Sequence, residues 1–150
     1  MRRILFLDID GVLNHDSWYN SVRNGTAGDY FNQDIDPGCI KLLNLLPNNV
    51  EIVISSSWRF IPETVDALRG SGLVLPIVGG TDHYYNDWIC RGNEIQKWLC
   101  DNLKDQDYEY VIIDDDCDIL LSQVQHFIHI NDRLGLNRHH IDKVKTILKI

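Results

Sequence analysis

Two aspartates stand two residues apart at the end of a short apolar run near the start of the chain. Asp8 and Asp10 flank Ile9, and Gly11 follows them directly. The two-residue repeat of a strand predicts that both carboxylates point to the same side of the strand end, about 6–7 Å apart along it. Two like charges so close favour a bound divalent cation, and hard cations such as Mg²⁺ take oxygen ligands. The alternative is an acidic turn, because Asp-Gly is a common turn dipeptide.

Other residue types suited to phosphate chemistry follow further along the chain. A second apolar run leads into Ser55, Ser56 and Arg59, which offer hydroxyl and guanidinium groups. Arg91 stands at the start of a predicted helix. A later apolar run leads directly into a stretch rich in carboxylates, which contains Asp114, Asp115, Asp116 and Asp118. Taken singly, each group has an ordinary explanation: serines lie in turns and caps, aspartates in solvated loops, and an arginine is a surface charge.

The elements that must position these groups alternate along the chain between apolar runs and amphipathic segments, a pattern typical of a parallel α/β sheet. The strands are predicted at 3–8, 50–54, 74–78, 109–113 and 126–130. The helices are predicted at 37–46, 61–70, 92–103 and 139–148. All strands but the last lack alternation, which indicates burial on both faces.

The carboxyl ends of parallel strands meet at one edge of a sheet, where functional groups collect. The carboxylates, hydroxyls and guanidinium groups described above all fall at or near such ends. Carboxylates can hold a metal, while hydroxyl and guanidinium groups can bind phosphate oxygens. Together they predict a phosphoryl-transfer site, which no one of them would predict alone.

Length and composition predict one domain over 1–150. The chain has 150 residues, 44% of them hydrophobic and 24% charged, as expected for a globular protein. The basic pair Arg2-Arg3 precedes only a short apolar run, which is neither a signal peptide nor a membrane span, so we expect a cytoplasmic location. The four cysteines show no C-x-x-C pairing and are interpreted as reduced thiols.

The net charge of −8 argues against broad, salt-driven binding of nucleic acid, although a local basic notch around a phosphate remains compatible with it. Two polar, aromatic segments lack helical or strand periodicity. Residues 14–35 are predicted to form an irregular flap over the site or an ordinary surface excursion, and Gly79–Arg91 has a similar character.

The chain resembles the haloacid dehalogenase (HAD) superfamily, because four motifs occur in the order found there. Asp8–Leu13 resembles the first motif, Ser55 the second, Arg91 the third and Asp114–Asp115 the fourth. The stretches Ser55–Arg59, Arg91–Ile95 and Asp114–Asp116 further resemble a small group of HAD domains associated with RNA-repair (Swiss-army-knife) proteins. The resemblance implies a three-layer, Rossmann-like α/β fold with a five-stranded parallel sheet of order 5-4-1-2-3. Neither irregular segment is long enough for a large cap domain.

The resemblance also implies a phosphatase mechanism. Asp8 would be the nucleophile that forms an aspartyl-phosphate, and Asp10 would protonate the leaving oxygen and then activate water. Mg²⁺ would be held by the Asp8 carboxylate, the backbone carbonyl of Asp10 and a carboxylate of the fourth motif, with Asp115 preferred over its neighbour Asp114. Three consecutive aspartates followed closely by another leave open which one binds the metal directly.

Ser55 and Arg91 would hold the oxygens of the transferring phosphoryl group, and Gly11, Ser56 and Arg59 are assigned to substrate binding. An open site favours a nucleotide or a terminal phosphate of nucleic acid, or another small phosphomonoester. The competing hypothesis is a non-catalytic, HAD-like module that binds a phosphorylated ligand, but such a module has no need of the acid at position 10. Oligomeric state is not predicted.

Overall fold

The computed structural model describes residues 1–25, 34–84 and 89–150. Five strands lie within these ranges: β1 Arg2–Leu7, β2 Val50–Ile54, β3 Ile77–Gly80, β4 Tyr108–Asp114 and β5 Phe127–His129. They alternate with five α-helices: α1 Asp16–Arg23, α2 Pro37–Leu43, α3 Thr64–Gly70, α4 Arg91–Asn102 and α5 Arg138–Ile147. Short 3-10 helices cover Ser57–Phe60 and Leu121–His126.

The strands form one parallel sheet in the order β3-β2-β1-β4-β5. This is the predicted order 5-4-1-2-3 read from the opposite edge, so the predicted fold class is confirmed. β1 lies at the centre, and its last residue, Leu7, is paired with both Ile54 of β2 and Ile113 of β4. Because these three partners are in register, the residues that follow them leave the sheet side by side.

Helices cover both faces of the sheet and give the fold its three layers. Leu5 and Leu7 of β1 face one core layer, which is built with buried residues of α2, α3 and α5. Ile4 and Phe6 face the other layer, which includes Ile95 and Leu99 of α4. The alternation of side chains along β1 therefore places α4 alone of the described α-helices in the layer on the Phe6 side.

Two predicted boundaries shift next to prolines. The strand predicted at 74–78 begins at Ile77, directly after Pro76, because proline has no N–H to give to a sheet. The helix predicted at 61–70 begins only at Thr64, since Pro62 and a 3-10 turn precede it. The strand predicted at 50–54 has the same bounds in the structure, and the other predicted helices and strands differ from it by at most three residues at their ends.

The flap predicted at 14–35 is not irregular throughout. It contains helix α1, which begins where the Nδ1 atom of His15 accepts a hydrogen bond from the Trp18 N–H at 3.3 Å. The backbone N–H and the hydroxyl of Ser17 both donate to the carbonyl of Arg133, at 3.0 and 2.8 Å. These contacts explain a helix that the residue pattern did not indicate. The rest of the predicted flap at 26–33 lies outside the described residues.

The second irregular segment, Gly79–Arg91, begins within β3, and its residues 85–88 lie outside the described part of the chain. No helix in the described ranges has both the length and the apolar character needed to cross a bilayer.

Candidate active site

Three polar residues leave the carboxyl edge of the sheet next to one another: Asp8 after β1, Ser55 after β2 and Asp114 at the end of β4. The parallel ladder continues into this edge, because the N–H of Asp8 donates to Ile113 and that of Ser55 donates to Leu7, both at 3.0 Å. All three side chains are almost fully buried, with 4% of Asp8, none of Ser55 and 1% of Asp114 exposed. The strand register alone therefore brings together three residues predicted from separate motifs.

The first residue of α4, Arg91, is held over this edge by close packing at the helix start. A Cβ atom at Gly92 would lie 2.4 Å from the backbone nitrogen of Leu120, so only glycine permits this approach. The buried Gln123 side chain donates to the Gly92 carbonyl at 2.9 Å, and the N–H of Arg91 donates to Asp118 at 3.0 Å. These contacts fix the direction in which the Arg91 side chain leaves the helix.

The Arg91 guanidinium bridges two of the buried carboxylates. One nitrogen lies 2.9 Å from Oδ1 of Asp8 and 2.5 Å from Oδ2 of Asp114. The other oxygen of Asp114 accepts the N–H of Asp116 at 2.9 Å. Asp8, Asp114 and Asp115 each place a carboxylate oxygen within 4.8 Å of the others. We call these three residues the carboxylate cluster.

The charges of the carboxylate cluster are only partly compensated. Burial and the charge of Asp114 raise the pKa of Asp8 to about 7, although Arg91 acts in the opposite direction. Burial likewise raises the pKa of Asp114 against the effect of Arg91. Burial would lower the pKa of Arg91, but the charges of Asp114 and Asp8 outweigh it and hold that pKa above its ordinary value. Three carboxylates facing one guanidinium leave a surplus of negative charge.

The aspartates at and directly after the end of β4 have different surroundings. These differences narrow the choice of which of them could bind a metal directly. Asp114 uses both carboxylate oxygens for Arg91 and Asp116, and Asp118 accepts the N–H of Arg91. Asp115 instead lies against Gly11, where a Cβ atom would be 2.3 Å from its Oδ2. Gly11 has a φ of +74°, so both its conformation and the lack of a side chain make room for Asp115.

The donor set of the carboxylate cluster suits a divalent cation. It offers hard oxygen atoms, close together, with more negative charge than the protein neutralises. A cation bound there would relieve the repulsion that raises the pKa of Asp8. The residues present therefore fit Mg²⁺.

Asp10 lies apart from this cluster. β1 ends at Leu7 rather than continuing through position 8, so the two-residue repeat of a strand does not extend to Asp10. Its side chain is exposed, and its Oδ1 atom accepts hydrogen bonds from Nδ2 of Asn14 at 2.7 Å and from Nε1 of Trp58 at 3.0 Å. A carboxylate near the cluster but outside it is free to act on another part of a ligand.

The turn after β2 carries the predicted hydroxyl and guanidinium groups, but in different roles. The buried Ser55 Oγ has no hydrogen-bond partner within the described residues. The Ser56 hydroxyl accepts the N–H of Trp58 at 3.2 Å and begins the 3-10 turn. The Arg59 guanidinium donates to the carbonyls of Ser55 and Ser56, both at 2.8 Å, and to Glu94 at 3.1 Å. Ser56 and Arg59 hold the turn, whereas Ser55 presents an unsatisfied polar group.

Two clefts flank the carboxylate cluster. A cleft of about 340 Å³ beside Arg91 is lined by Ser57, Arg59, Phe60, His83, Ile89, Arg91, Glu94 and Asp118. A second, of about 540 Å³, begins at Asp115 and runs along residues 129–135, with Asn137 and His140. Both leave space for a substrate larger than phosphate itself.

A second group of titratable residues combines His15, near the start of the predicted flap, with Asp36 and Cys39, just after its end; His15 and Cys39 are buried and Asp36 is half-buried. His15, Asp36 and Cys39 also place possible ligand atoms within 4.8 Å of one another, and we call them the His15 cluster. Nε2 of His15 lies 2.8 Å from Oδ2 of Asp36, and the Cys39 thiol donates to the same oxygen at 3.7 Å. Nδ1 of His15 caps α1, and Oδ1 of Asp36 caps α2 through the Gly38 N–H at 2.7 Å.

Among the residues that contact the predicted site residues, Asn14, Trp58 and Glu94 were not assigned from the sequence. Asn14 and Trp58 hold Asp10, and the buried Glu94 pairs with Arg59. Trp58 and Glu94 fall within stretches that the motif comparison had marked, but their partners are distant in the sequence. No local pattern indicates such contacts.

Residues 4–141 match the family described as the HAD domain in Swiss Army Knife RNA repair proteins. Neither the curated proteins nor the solved structures that were compared gave a match. The matched range includes most of β1, all of β2 to β5 and all of the site residues described above. This chain therefore belongs to the family of HAD domains found in Swiss Army Knife RNA repair proteins.

Proposed function

We propose that this chain is an Mg²⁺-dependent phosphomonoester hydrolase that acts through an aspartyl-phosphate on Asp8. One arrangement carries the proposal: Arg91 bridges Asp8 and Asp114, while the buried Ser55 hydroxyl at the same edge of the sheet has no hydrogen-bond partner in the described part of the chain. A guanidinium and a hydroxyl next to a buried carboxylate are suited to a phosphoryl group that this carboxylate attacks. Membership of the HAD family supports a phosphatase-type function in general and Mg²⁺ as its usual cation.

Asp8, Asp115 and the backbone carbonyl of Asp10 are the groups we assign to the cation. Asp114 is assigned a supporting role, because its oxygens already bind Arg91 and Asp116. When bound, the cation supplies positive charge that lets an anionic phosphate approach the carboxylates and that polarises its oxygens.

The first chemical step transfers the phosphoryl group to Asp8. A carboxylate oxygen of Asp8 attacks phosphorus, the bond to the leaving oxygen breaks, and Asp10 gives that oxygen a proton. Arg91 and Ser55 bind the phosphoryl oxygens. In the second step Asp10 takes a proton from water, the water oxygen attacks phosphorus, and the bond to Asp8 breaks to release inorganic phosphate.

The supporting residues act by position. Gly11 leaves room for Asp115, and Ser56 and Arg59 hold the turn that carries Ser55. For the substrate we propose a nucleotide or a terminal phosphate of nucleic acid. The open clefts and the family support this choice, and the net charge of −8 favours a short substrate over a long duplex.

A hydrolysis screen tests the proposal. Nucleotides, sugar phosphates and oligonucleotides phosphorylated at the 5′ or 3′ end are incubated with the protein and Mg²⁺, and released phosphate is measured. We expect turnover that Asp8→Asn abolishes. Binding of these ligands without hydrolysis by the wild type would instead favour a non-catalytic phospho-ligand module.

Asp10→Asn separates the two steps. With p-nitrophenyl phosphate, whose leaving group needs little protonation, the variant should release about one equivalent of product in a burst and then turn over slowly. Phosphorylated Asp8 should accumulate and be detected by mass spectrometry. A variant as fast as the wild type, with no burst and no adduct, would exclude Asp10 as the acid–base.

A further inference from the structure

The carboxylate of Asp10 is held from one side only. Both hydrogen bonds that it accepts within the described residues end on Oδ1, from Asn14 at 2.7 Å and from Trp58 at 3.0 Å. Neither hydrogen bond uses the other oxygen, Oδ2.

Asn14 is itself fixed. It is buried, with 2% of its surface exposed, and its Oδ1 atom accepts the N–H of Gly11 at 3.0 Å. The backbone of Asn14 also receives the Gly11 N–H at 3.1 Å. Because both ends of the side-chain amide are bonded within one tight turn, its donor is aimed at Asp10 with little freedom.

Trp58 connects Asp10 to a different element. It lies in the 3-10 helix Ser57–Phe60, which follows closely after Ser55. Its side chain packs against the core layer that Leu5 and Leu7 face. The bond from its Nε1 therefore ties the acid after β1 to the turn that we assign to phosphate binding. A movement of one would displace the other.

We propose that Asn14 and Trp58 are positioning residues, which hold Oδ1 of Asp10 so that Oδ2 is the oxygen that gives a proton to the leaving group and takes one from water. This inference rests on the proposed function, because it concerns the orientation of its acid–base. It gives a role in the reaction to two residues that act on it through Asp10.

Trp58→Phe removes the indole N–H and keeps an aromatic ring. The matched control is Trp98→Phe, because Trp98 packs against Phe6 on the other side of the sheet, at 5.5 Å between ring centres. We expect Trp58→Phe to lower kcat about 10- to 100-fold for a nucleotide, whose leaving alkoxide needs a proton, with KM little changed. For p-nitrophenyl phosphate the loss in the first step should be below about threefold. Trp98→Phe should show no such difference between the substrates.

Asn14→Asp keeps the acceptor for Gly11 and replaces the donor with a like charge, so the same dependence on the leaving group should be stronger. Asn44→Asp is its control, since Asn44 also joins two backbone groups, Gly72 and Val74, far from the site. The contact is checked without activity by the ¹⁵N–¹H signal of the Trp58 indole, which should shift in Asp10→Ala.

The outcomes separate this inference from the proposed function. Equal losses for both substrates in Trp58→Phe and Asn14→Asp, or no losses, would overturn the positioning role while leaving the phosphatase intact. An indole signal that does not move in Asp10→Ala would overturn the contact itself. A wild type that hydrolyses neither substrate would overturn the proposed function, and the positioning role with it.

Discussion

The carboxylate cluster and the His15 cluster each contain two buried titratable side chains and one half-buried one. They differ in how far the negative charge of their carboxylates is balanced by neighbouring donors and cations. In the carboxylate cluster, three acids face one guanidinium, and burial raises the pKa of Asp8 to about 7. In the His15 cluster, Asp36 is surrounded by donors, so its pKa lies below its ordinary value despite burial.

This difference is the reason that we propose the carboxylate cluster, and not the His15 cluster, as the metal site. Burial raises the pKa of the Cys39 thiol to about 12, so it remains a neutral donor to Asp36. Both ring nitrogens of His15 are used, one for the cap of α1 and one for Asp36. The carboxylate cluster, by contrast, leaves the Ser55 hydroxyl beside it unsatisfied. Proximity of possible metal ligands is therefore a weaker indication of a site than unmatched charge.

The largest expected effect comes from Asp8→Asn. The amide cannot form an aspartyl-phosphate, so hydrolysis should fall to background, whereas Asp36→Asn should retain turnover per folded molecule. Released phosphate from both variants is compared at equal folded protein. Retention by Asp8→Asn of more than about a tenth of the wild-type rate would exclude it as the nucleophile.

Removal of the metal should abolish activity and change stability only through the carboxylate cluster. EDTA should stop hydrolysis, Mg²⁺ should restore it, and Ca²⁺ should support little turnover because its larger coordination misplaces the reacting groups. At 100 times its Kd, Mg²⁺ should add about 2.7 kcal/mol to the free energy of unfolding. Thermal denaturation should show the same increase in His15→Asn and none in Asp115→Asn; full activity in EDTA would contradict the metal site.

Gly11 and Gly135 allow a direct comparison of the two clusters, because each glycine lies against a side chain of one of them. A Cβ atom at Gly11 would lie 2.3 Å from Oδ2 of Asp115, and one at Gly135 would lie 2.2 Å from Cδ2 of His15; both residues have positive φ. Gly11→Ala should lower kcat about 10- to 100-fold by displacing Asp115. Gly135→Ala should lower Tm, by about 2–4 °C for each kcal/mol lost, while activity per folded molecule persists. An activity loss confined to Gly135→Ala would reverse the assignment.

The smallest effect is on stability against pH, and its sign differs between the clusters. The pKa of Asp8 is raised, so its contribution is present below about pH 4, the unfolded value, and is lost as pH rises through about 7. The pKa of Asp36 is lowered, so its contribution is present above the unfolded value and is lost on acidification. Denaturation in EDTA should show Asp8→Asn gaining on the wild type from pH 5 to 8.

Over the same range, Asp36→Asn should stay less stable than the wild type by about 1–2 kcal/mol and approach it only in acid. A difference between Asp8→Asn and the wild type that does not change with pH would show that Asp8 is not held near neutrality by its surroundings.

The sheet, and the meeting of Asp8, Ser55 and Asp114 at one of its edges, could be predicted because they depend on local patterns. Apolar runs mark the strands, and the strand order follows from the family that the motifs indicate. Once the carboxyl ends meet at one edge, Asp8, Ser55 and Asp114 must lie near one another. What these residues share is a position directly after a buried strand, which is visible in the sequence.

The remaining features depend on contacts between distant segments. Helix α1 buries only Trp18, so its sequence has no apolar face from which a helix could be predicted. Contacts with distant residues, such as that of Ser17 with Arg133, hold it in place. The structural reason to prefer Asp115, which is that Arg91 already binds Asp114, lies in a contact between residues 23 positions apart. The bond from Trp58 to Asp10 joins residues 48 positions apart, and nothing in either neighbourhood specifies it.

The central position of β1 has a consequence for synthesis of the chain. β1 is made before its neighbour β4, which comes more than a hundred residues later, so an emerging chain carries Asp8 long before Asp114 and Arg91 can surround it. During translation the apolar strand Ile4–Leu7 keeps an open edge, and such edges promote aggregation. The pairing of β4 with β1 covers that edge and also brings Asp114 beside Asp8. One folding step therefore both removes the exposed edge and assembles the carboxylate cluster.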